Sequence, residues 1–338
     1  MKAKLKFAVV GCGHIGKRHI KVISEDSNAE LIAVCDIDEN ITSQLKNKYP
    51  DIEIFDDYAH MLKMSDFDII SVCTPHGLHS EMSIRAARAG KHILVEKPMA
   101  LDSSESLKMI SEAKNNGVRL FVVKQNRYNK PIMLTSKALS EKRLGKVFMV
   151  QCNVMWNRHN EYYAQSSWRG KKETEGGVLH TQVSHFLDLL VWWFGELKQA
   201  KTIAETLNHQ IEIEDCGVSA LKFDTGVIGS LFWTTCVYNY NYEGSITIIG
   251  EKGTIKIGGK YLNEIEFWDV QSYPLPTDIE FEDTPNNYGS YQGSSSNHDK
   301  LINELIHQVI QDRKGVVEGE EGLLSIKAIE KIYNGIDE

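Results

Sequence analysis

Apolar runs alternate with amphipathic segments over the first 125 residues of the chain. Strand-like runs lie at 5–10, 31–35, 52–55, 68–73, 92–95 and 119–123. Helical patterns lie between them, for example at 80–89 and 103–116, and both of these end at a glycine, a common helix stop. Alternating strands and helices predict a parallel sheet with right-handed crossovers, and the continuously apolar strands indicate that helices cover both faces.

Longer apolar runs with few helices between them follow a helical stretch at 129–142. These runs lie at 146–156, 199–207, 216–223, 227–238, 245–250 and 253–257, and helices are predicted at 178–194, 298–312 and 322–334. Turn residues at 225–227 and 251–254 predict hairpins. We therefore expect an α/β Rossmann domain at 1–125 and a C-terminal α/β domain with a large, mostly antiparallel open sheet at 126–338. The last helix is a candidate to return to the Rossmann domain.

Composition narrows the function classes. The 338 residues carry a net charge of −8, which argues against a general nucleic-acid-binding surface. No apolar run approaches the length of a membrane-spanning helix, and the run before Gly11 is shorter than the core of a signal peptide. The six cysteines show no C-x-x-C spacing and no zinc-like spacing with histidine, which predicts no metal site and fits a reducing compartment. We expect a cytoplasmic protein with no nucleic-acid or membrane partner.

A glycine-rich turn follows the first predicted strand and opens a helix, with the sequence Gly11-Cys12-Gly13-His14-Ile15-Gly16. In this context Gly11 permits the tight turn, Gly13 lets a pyrophosphate approach the backbone, and Gly16 allows close packing of helix on strand. Asp36 ends the second strand, where a carboxylate can accept hydrogen bonds from ribose hydroxyls and repel a 2′-phosphate. The pattern favours NAD as the cofactor, and the alternative is a glycine-rich turn without a nucleotide.

Three further segments resemble the Gfo/Idh/MocA oxidoreductase family. They are Cys73-Thr74-Pro75-His76 with His79, Glu96-Lys97-Pro98, and a glycine pair at 176–177 ahead of a helix that carries His185. With the glycine-rich turn, the resemblance implies a set of cofactor-binding residues: Gly11, Gly13, His14, Ile15, Gly16, Asp36, Thr74, Pro75, His79, Glu96, Lys97, Gln125, Trp168 and Arg169.

One branch of that family looks most similar, because residues 123–129 (VKQNRYN) and 168–170 (WRG) resemble the UDP-N-acetylglucosaminuronate 3-dehydrogenases. These enzymes serve bacterial surface-polysaccharide synthesis. The resemblance implies oxidation of the sugar C3 hydroxyl of a nucleotide-sugar substrate by NAD, a 2-oxo acid that reoxidises bound NADH, and a homo-oligomer (dimer or tetramer) formed through the open sheet. Two alternatives stay open: a dehydrogenase for another nucleotide sugar, a free sugar or inositol, and a non-catalytic NAD- or sugar-sensing regulator.

Lys97 and His185 are the catalytic candidates. Lys97 follows a parallel strand at the edge where α/β sheets bind ligands, although a surface lysine there is the plain alternative. His185 lies in a helix that is apolar on almost every side, where a histidine is more often a hydrogen-bonded core residue, and the family resemblance favours a role in proton transfer. Asp188 either orients that imidazole or is a polar helix position. We expect Lys97 and His185, from separate domains, to meet at one carbohydrate carbon.

Substrate contacts are predicted from basic and polar residues near aromatic ones, since arginine forks suit diphosphates and carboxylates. The predicted substrate-binding residues are Asn126, Arg127, Tyr128, Arg158, Thr181, Gln182 and Tyr291. Thr181 departs from the family pattern, where many members carry Asp and the resembled branch carries Asn. A hydroxyl there can bind a sugar but cannot act as a base. Lys171 and Lys172 are interpreted as solvated loop charges.

Overall fold

The computed structural model describes residues 4–277, 281, 285–287 and 292–336. They form two compact units, the first from residues up to 124 with 298–326, and the second from residues 125–297 with 327 onward. Across the described ranges, no helix is both long enough and apolar enough to cross a bilayer.

A parallel six-stranded sheet forms the centre of the first unit, in the order β3-β2-β1-β4-β5-β6. This confirms the predicted Rossmann domain. The strands are β1 (Leu5–Val10), β2 (Ala29–Cys35), β3 (Glu53–Phe55), β4 (Ile69–Val72), β5 (His92–Val95) and β6 (Leu120–Val122). The helices are α1 (His14–Glu25), α2 (Glu39–Lys48), α3 (Tyr58–Met64), α4 (His79–Arg88), α5 (Ser103–Asn115) and, later in the chain, α9 (His298–Gln311).

Local sequence explains where several of these elements begin. The side chains of Asp38, Asp57 and Asp102 cap α2, α3 and α5, each accepting a hydrogen bond from a backbone N–H of the first turn. All four residues of β4 are buried, as expected for a strand covered on both faces. The strand order reverses between β1 and β4, so the loops after these two strands flank the switch point at which such sheets bind ligands.

Residues 298–326 belong to the first unit, whereas the sequence placed them in the second domain. Arg119 pairs with Glu318, and the N–H of Val122 donates to the carbonyl of Val317 at 2.9 Å. Asn303 on α9 donates to Asp26, which follows α1, at 3.0 Å. The apolar spacing of α9 predicts a helix but carries no information on the surface that buries it, which is why the boundary differs.

A seven-stranded sheet forms the centre of the second unit, in the order β13-β12-β11-β7-β10-β9-β8. Only the β7–β10 pair is parallel among its described pairings, which confirms a mostly antiparallel sheet. The strands are β7 (Val147–Met155), β8 (Leu197–Glu205), β9 (Cys216–Phe223), β10 (Ile228–Thr234), β11 (Glu243–Gly250), β12 (Gly253–Gly258) and β13 (Glu264–Val270); β14 (Pro285–Asn287) and β15 (Gln292–Ser295) form a separate pair. Both predicted hairpins are present, and β13 to β15 were not predicted.

Helices of the second unit are α6 (Lys130–Ser140), α7 (Asn160–Ala164) and α8 (Ser184–Phe194), while α10 (Gly319–Tyr333) crosses the boundary at residue 326. One wide π-type turn, Leu179–Val183, leads into α8. Every residue of that turn is buried, and so is nearly all of α8, including His185. Turns of this kind occur often at functional sites.

Candidate functional site

The glycine-rich turn joins β1 to α1 in the first unit. Gly11 has φ +81°, and a Cβ there would lie 2.7 Å from the backbone nitrogen of Thr74. Gly13 caps α1, and a Cβ on it would meet nothing within 4 Å among the described residues. His14 is exposed and Ile15 half-buried in the first helical turn, whose N–H groups favour an anion. The open approach at Gly13 fits a dinucleotide phosphate.

Asp36 holds the same turn from the end of β2. Its Oδ2 accepts a hydrogen bond from the N–H of Cys12 at 2.6 Å, and its Oδ1 accepts one from Asp38 at 2.9 Å. A carboxylate has about four acceptor sites, so it can still receive ribose hydroxyls. The residue after it, Ile37, is 90% exposed and supplies no positive charge for a 2′-phosphate.

Residues after β4 form the other side of the switch point. The Thr74 hydroxyl is buried and has no hydrogen-bond partner among the described residues, which leaves it available to a cofactor. Pro75 precedes a short 3-10 turn at His76–Leu78. His79 is fully buried, with Nδ1 2.7 Å from the Pro98 carbonyl and Nε2 2.8 Å from the Thr74 carbonyl. His79 therefore connects the Thr74 and Pro98 segments, and its predicted contact with the cofactor stays a prediction.

Lys97 follows β5 and is half-buried, with a buried carboxylate beside it. The Glu96 Oε2 accepts a hydrogen bond from the N–H of Lys97 at 3.1 Å. Its Oε1 lies 2.9 Å from His19 Nε2 and 3.3 Å from His298 Nε2. Glu96 therefore supports the lysine turn, and its predicted contact with the cofactor stays a prediction.

Tyr162 is the centre of a cluster in the second unit that contains two of the predicted arginines. The guanidinium carbon of Arg169 lies 4.1 Å from the centroid of the Tyr162 ring, and that of Arg158 lies 5.3 Å from it. Arg169 also donates to the Tyr162 carbonyl at 3.1 Å, and Arg158 donates to the carbonyl of Asn157 at 2.6 Å. The structure brings these two predicted anion-binding side chains together on one aromatic ring.

Polar residues extend this cluster. Gln182 donates to the Tyr162 hydroxyl at 3.3 Å, and that hydroxyl lies 3.5 Å from Oε1 of Glu175. Thr181 donates to the Gly177 carbonyl at 3.2 Å and also contacts the side-chain oxygen of Gln182. Burial raises the pKa of Glu175, although the Gly170 N–H and the nearby arginines oppose the shift. No role was predicted for Glu175 from the sequence.

Arg127 occupies a different environment from the anion site that the sequence predicted. Its Nε donates to Asp188 Oδ2 at 2.7 Å and a terminal nitrogen donates to Oδ1 at 2.9 Å. Its guanidinium also lies 4.4 Å from the Trp192 ring centroid. Arg127 thus has a carboxylate partner within its own unit, and its predicted contact with the substrate stays a prediction.

Asn126 provides the clearest opening for a ligand in this unit. Its side chain is 3% exposed, yet neither the amide oxygen nor the amide nitrogen has a hydrogen-bond partner among the described residues. Leaving both groups unpaired in a buried position is costly unless a ligand satisfies them. The neighbouring Gln125 is also buried and Tyr128 is half-buried, in the same short turn.

A second carboxylate, which the sequence did not single out, supports the wide turn before His185. The N–H of Leu179 donates to Glu214 Oε1 at 3.2 Å, and the hydroxyl of Tyr333 donates to the same oxygen at 2.8 Å. Burial raises the pKa of Glu214 to about 7. Tyr333 also stacks on His180, with ring centroids 5.7 Å apart. No local motif marks this group, since its members lie far apart in sequence.

The remaining predicted residues are Trp168, Lys171, Lys172 and Tyr291. Trp168 is half-buried and its carbonyl accepts a hydrogen bond from Thr174 at 2.7 Å. Lys171 and Lys172 are exposed. Tyr291 lies outside the described residues.

Known proteins resemble both units. The family model for the NAD-binding Rossmann fold of the Gfo/Idh/MocA oxidoreductases matches residues 5–124, and that for the family's C-terminal domain matches residues 133–256. A curated dehydrogenase of Comamonas testosteroni, which acts on 1-carboxy-3-chloro-3,4-dihydroxycyclohexa-1,5-diene, is 26% identical over 258 residues. That match covers 73% of this chain and 63% of the relative.

Two solved structures are more similar. The WlbA dehydrogenase of Bordetella pertussis, in complex with NADH and UDP-GlcNAcA, is 37% identical with a TM-score of 0.89, over 98% of this chain and 96% of that one. The WlbA dehydrogenase of Chromobacterium violaceum, with the same two ligands, is 37% identical with a TM-score of 0.91, over 99% and 94%. The chain therefore belongs to the Gfo/Idh/MocA family and is an NAD-dependent oxidoreductase.

Proposed function

We propose that this chain oxidises the C3 hydroxyl of a UDP-linked acetamido uronic acid, with NAD as the hydride acceptor. The observation that carries the proposal is the similarity to two WlbA dehydrogenases over at least 98% of the chain, both in complex with NADH and UDP-GlcNAcA. The position of the oxidised hydroxyl rests on the sequence resemblance to the acetamidouronate branch.

The second unit supports a substrate that is polar and anionic. Arg158 and Arg169 present guanidinium groups around Tyr162, and such groups suit diphosphate and carboxylate oxygens. The buried amide of Asn126 can both donate to and accept from a ligand. We assign Asn126 and Arg158 to substrate binding, and Thr181 and Gln182 to the same Tyr162-centred cluster. Arg127 and Tyr128 stay predictions.

The first unit supports the cofactor. NAD, when bound, supplies the acceptor for the hydride that leaves C3. The open helix terminus at Gly13 and the hydroxyl of Thr74 suit its phosphates and neighbouring groups, and Asp36 suits the ribose hydroxyls. Gln125, Trp168 and Arg169 stay predictions as cofactor contacts from the second unit.

Two residues are assigned to the chemical step. The reaction releases the hydroxyl proton and moves the C3 hydride to NAD, which gives a 3-oxo sugar and NADH. We assign the proton to the imidazole of His185, and we assign to Lys97 the stabilisation of the developing alkoxide. Lys97→Ala and His185→Ala should each keep NADH binding within about threefold and lower kcat by at least about 100-fold. Loss of NADH binding with unchanged kcat would overturn either assignment.

A substrate panel tests the proposed function. Purified protein with NAD receives UDP-GlcNAcA, UDP-N-acetylglucosamine, a free uronic acid or inositol, and the NADH absorbance is recorded. NADH formation only with the acetamido uronate supports the proposal. Turnover of inositol or a free sugar instead would overturn it, and NAD binding without oxidation of any of them would favour a regulator.

Two further properties belong to the same proposal. We infer that a 2-oxo acid reoxidises the NADH, which predicts that adding pyruvate or 2-oxoglutarate to the reduced complex removes its absorbance. We also infer a homo-oligomer, which light scattering on the full chain measures directly. An unchanged absorbance overturns the first inference, and a monomer at micromolar concentration overturns the second.

A further inference from the structure

Three buried side chains from separate elements of the first unit meet beside Lys97. His19 lies on α1, Glu96 follows β5, and His298 begins α9. Their exposed fractions are 0%, 5% and 1%. A carboxylate so deeply buried is costly unless charged or hydrogen-bonding groups compensate it.

The contacts of Glu96 join both histidines to the lysine backbone. One oxygen lies 2.9 Å from His19 Nε2 and 3.3 Å from His298 Nε2. The other accepts the N–H of Lys97 at 3.1 Å. Nδ1 of His19 lies 2.6 Å from the Ser71 hydroxyl on β4, which fixes the ring from its opposite side.

Burial and the neighbouring groups act in opposite directions on the pKa values of His19 and Glu96. Burial alone lowers the pKa of His19, but the Cys73 sulfur and the Glu96 carboxylate raise it to about 10. Burial alone raises the pKa of Glu96, but the hydrogen bond from His19 and the nearby His298 ring hold it well below its usual value. Burial lowers the pKa of His298. The pKa of His19 is thus raised and that of Glu96 lowered, which are the directions expected for hydrogen-bonded partners of opposite charge.

The lysine turn is also held from its other side. His79 contacts the Pro98 carbonyl at 2.7 Å and the Thr74 carbonyl at 2.8 Å. His19 lies on the helix whose first residues follow Gly13 and face the expected pyrophosphate. The supports of Lys97 are therefore the same elements that form the dinucleotide site.

We propose that His19 is a positioning residue, which holds Lys97 in register with the dinucleotide helix through the Glu96 carboxylate, with His298 as a second support. The importance of that register for turnover rests on the proposed role of Lys97 in stabilising the developing alkoxide. A misplacement of about 1 Å in an active site can cost about 100-fold in rate, so the effect should appear in kcat.

Two variants of His19 separate positioning from plain stability. His19→Gln keeps an amide N–H near the place of Nε2 and can still donate to Glu96, whereas His19→Asn keeps only a group near Nδ1. We expect His19→Asn to lower kcat by about 100-fold and His19→Gln by about 10-fold, with the KM for NAD changed less than about threefold in both. The matched control is His92→Gln, which removes the 3.0 Å contact between His92 Nδ1 and the Arg119 N–H elsewhere in the same sheet.

A structural role alone would lower the melting temperature of all three variants and leave kcat per folded molecule near wild type. That result, or equal kcat values for His19→Asn and His19→Gln, would overturn the proposal. Kinetics are measured with whichever sugar alcohol the wild type oxidises, so a wrong substrate does not decide this question.

A second measurement needs no substrate. In ¹⁵N spectra at about pH 8, where an ordinary imidazole is neutral, both nitrogens of His19 should be protonated in the wild type and not in Glu96→Gln. A neutral His19 in the wild type would overturn the ion pair on which the positioning depends. If none of the tested sugars is oxidised but His19 is protonated, only the proposed substrate would be contradicted.

Discussion

Asp188 binds Arg127 through two parallel hydrogen bonds, from Nε to Oδ2 at 2.7 Å and from a terminal nitrogen to Oδ1 at 2.9 Å. The side chains are 3% and 10% exposed. The pair lies one helical turn from His185 and orders the surface of α8 that carries it. This contact gives the arginine of the family-like segment 123–129 a buried carboxylate partner.

Removing one partner of this pair should strongly lower the stability of the protein. Asp188→Asn leaves a buried guanidinium without its counter-charge and should lower the free energy of unfolding by about 3–5 kcal/mol, measured by urea denaturation. Glu141→Gln is the matched control, because Glu141 pairs with Arg143 at 2.9 Å near the surface. It should cost less than about 1 kcal/mol. Equal losses in the two variants would contradict a buried, energetically important Arg127 pair.

Alanine substitutions at Gly11 and Gly13 should have different effects, the first on stability and the second on NADH binding. Gly11→Ala forces a side chain into φ +81° and within 2.7 Å of the Thr74 backbone, so it should lower stability by about 2 kcal/mol or more. Gly13→Ala meets no described residue within 4 Å. It should keep the melting temperature while weakening NADH binding at least about tenfold, since its methyl group points into the expected phosphate approach. Unchanged NADH affinity in Gly13→Ala would exclude that approach.

Asp36 should decide between the two nicotinamide cofactors. Fluorescence titration of the wild type should give a lower Kd for NADH than for NADPH. Asp36→Ser should weaken NADH binding about tenfold and narrow the difference between the Kd values for NADH and NADPH. The reason is that it removes both the ribose acceptor and the repulsion of a 2′-phosphate. Asp38→Asn is the control. It weakens the cap of α2, where Asp38 accepts the Asn40 N–H at 2.8 Å, and should leave the preference unchanged. Equal preference shifts in both variants would contradict the assignment.

Glu214 should make stability depend on pH. Burial raises its pKa from 4.5 to about 7 in the folded protein, so between these values the folded state keeps a proton that the unfolded chain releases. The contribution of Glu214 to the free energy of unfolding therefore falls as pH rises through that window, by about 3 kcal/mol at most. Glu214→Gln keeps an acceptor for Tyr333. Its free energy of unfolding should exceed that of the wild type at about pH 8 but not at about pH 4.5. The exposed Glu212→Gln is the control, and parallel curves for wild type and Glu214→Gln would contradict the shift.

The local parts of the structure could be predicted from sequence. The dinucleotide turn and Asp36 follow from one glycine pattern, because a turn, a helix terminus and a strand end need only neighbouring residues. The predicted strand at 216–223 has the observed bounds of β9. By contrast, β13 was missed, since its sequence EIEFWDV has mixed polarity and four exposed positions.

The side-chain partnerships could not be predicted in the same way. Arg127 and Asp188 are 61 residues apart, and His19 and Glu96 are 77 apart. Sequence pattern places each residue on an element but not opposite a particular partner. The same limit hid the contact of Glu214 with Tyr333 and the position of residues 298–326 in the first unit. The wide turn at Leu179–Val183 was also hidden, because its residues look like an ordinary start of the buried α8.

Isotope transfer follows the hydrogen that leaves C3 of the sugar. UDP-GlcNAcA carrying deuterium at C3 is mixed with the protein and NAD, and the reduced cofactor and the sugar product are examined by mass spectrometry. We expect deuterium to appear on the nicotinamide ring. The sugar product should lack deuterium and carry a ketone at C3. Unlabelled NADH, or a product that retains the deuterium, would contradict oxidation at that carbon.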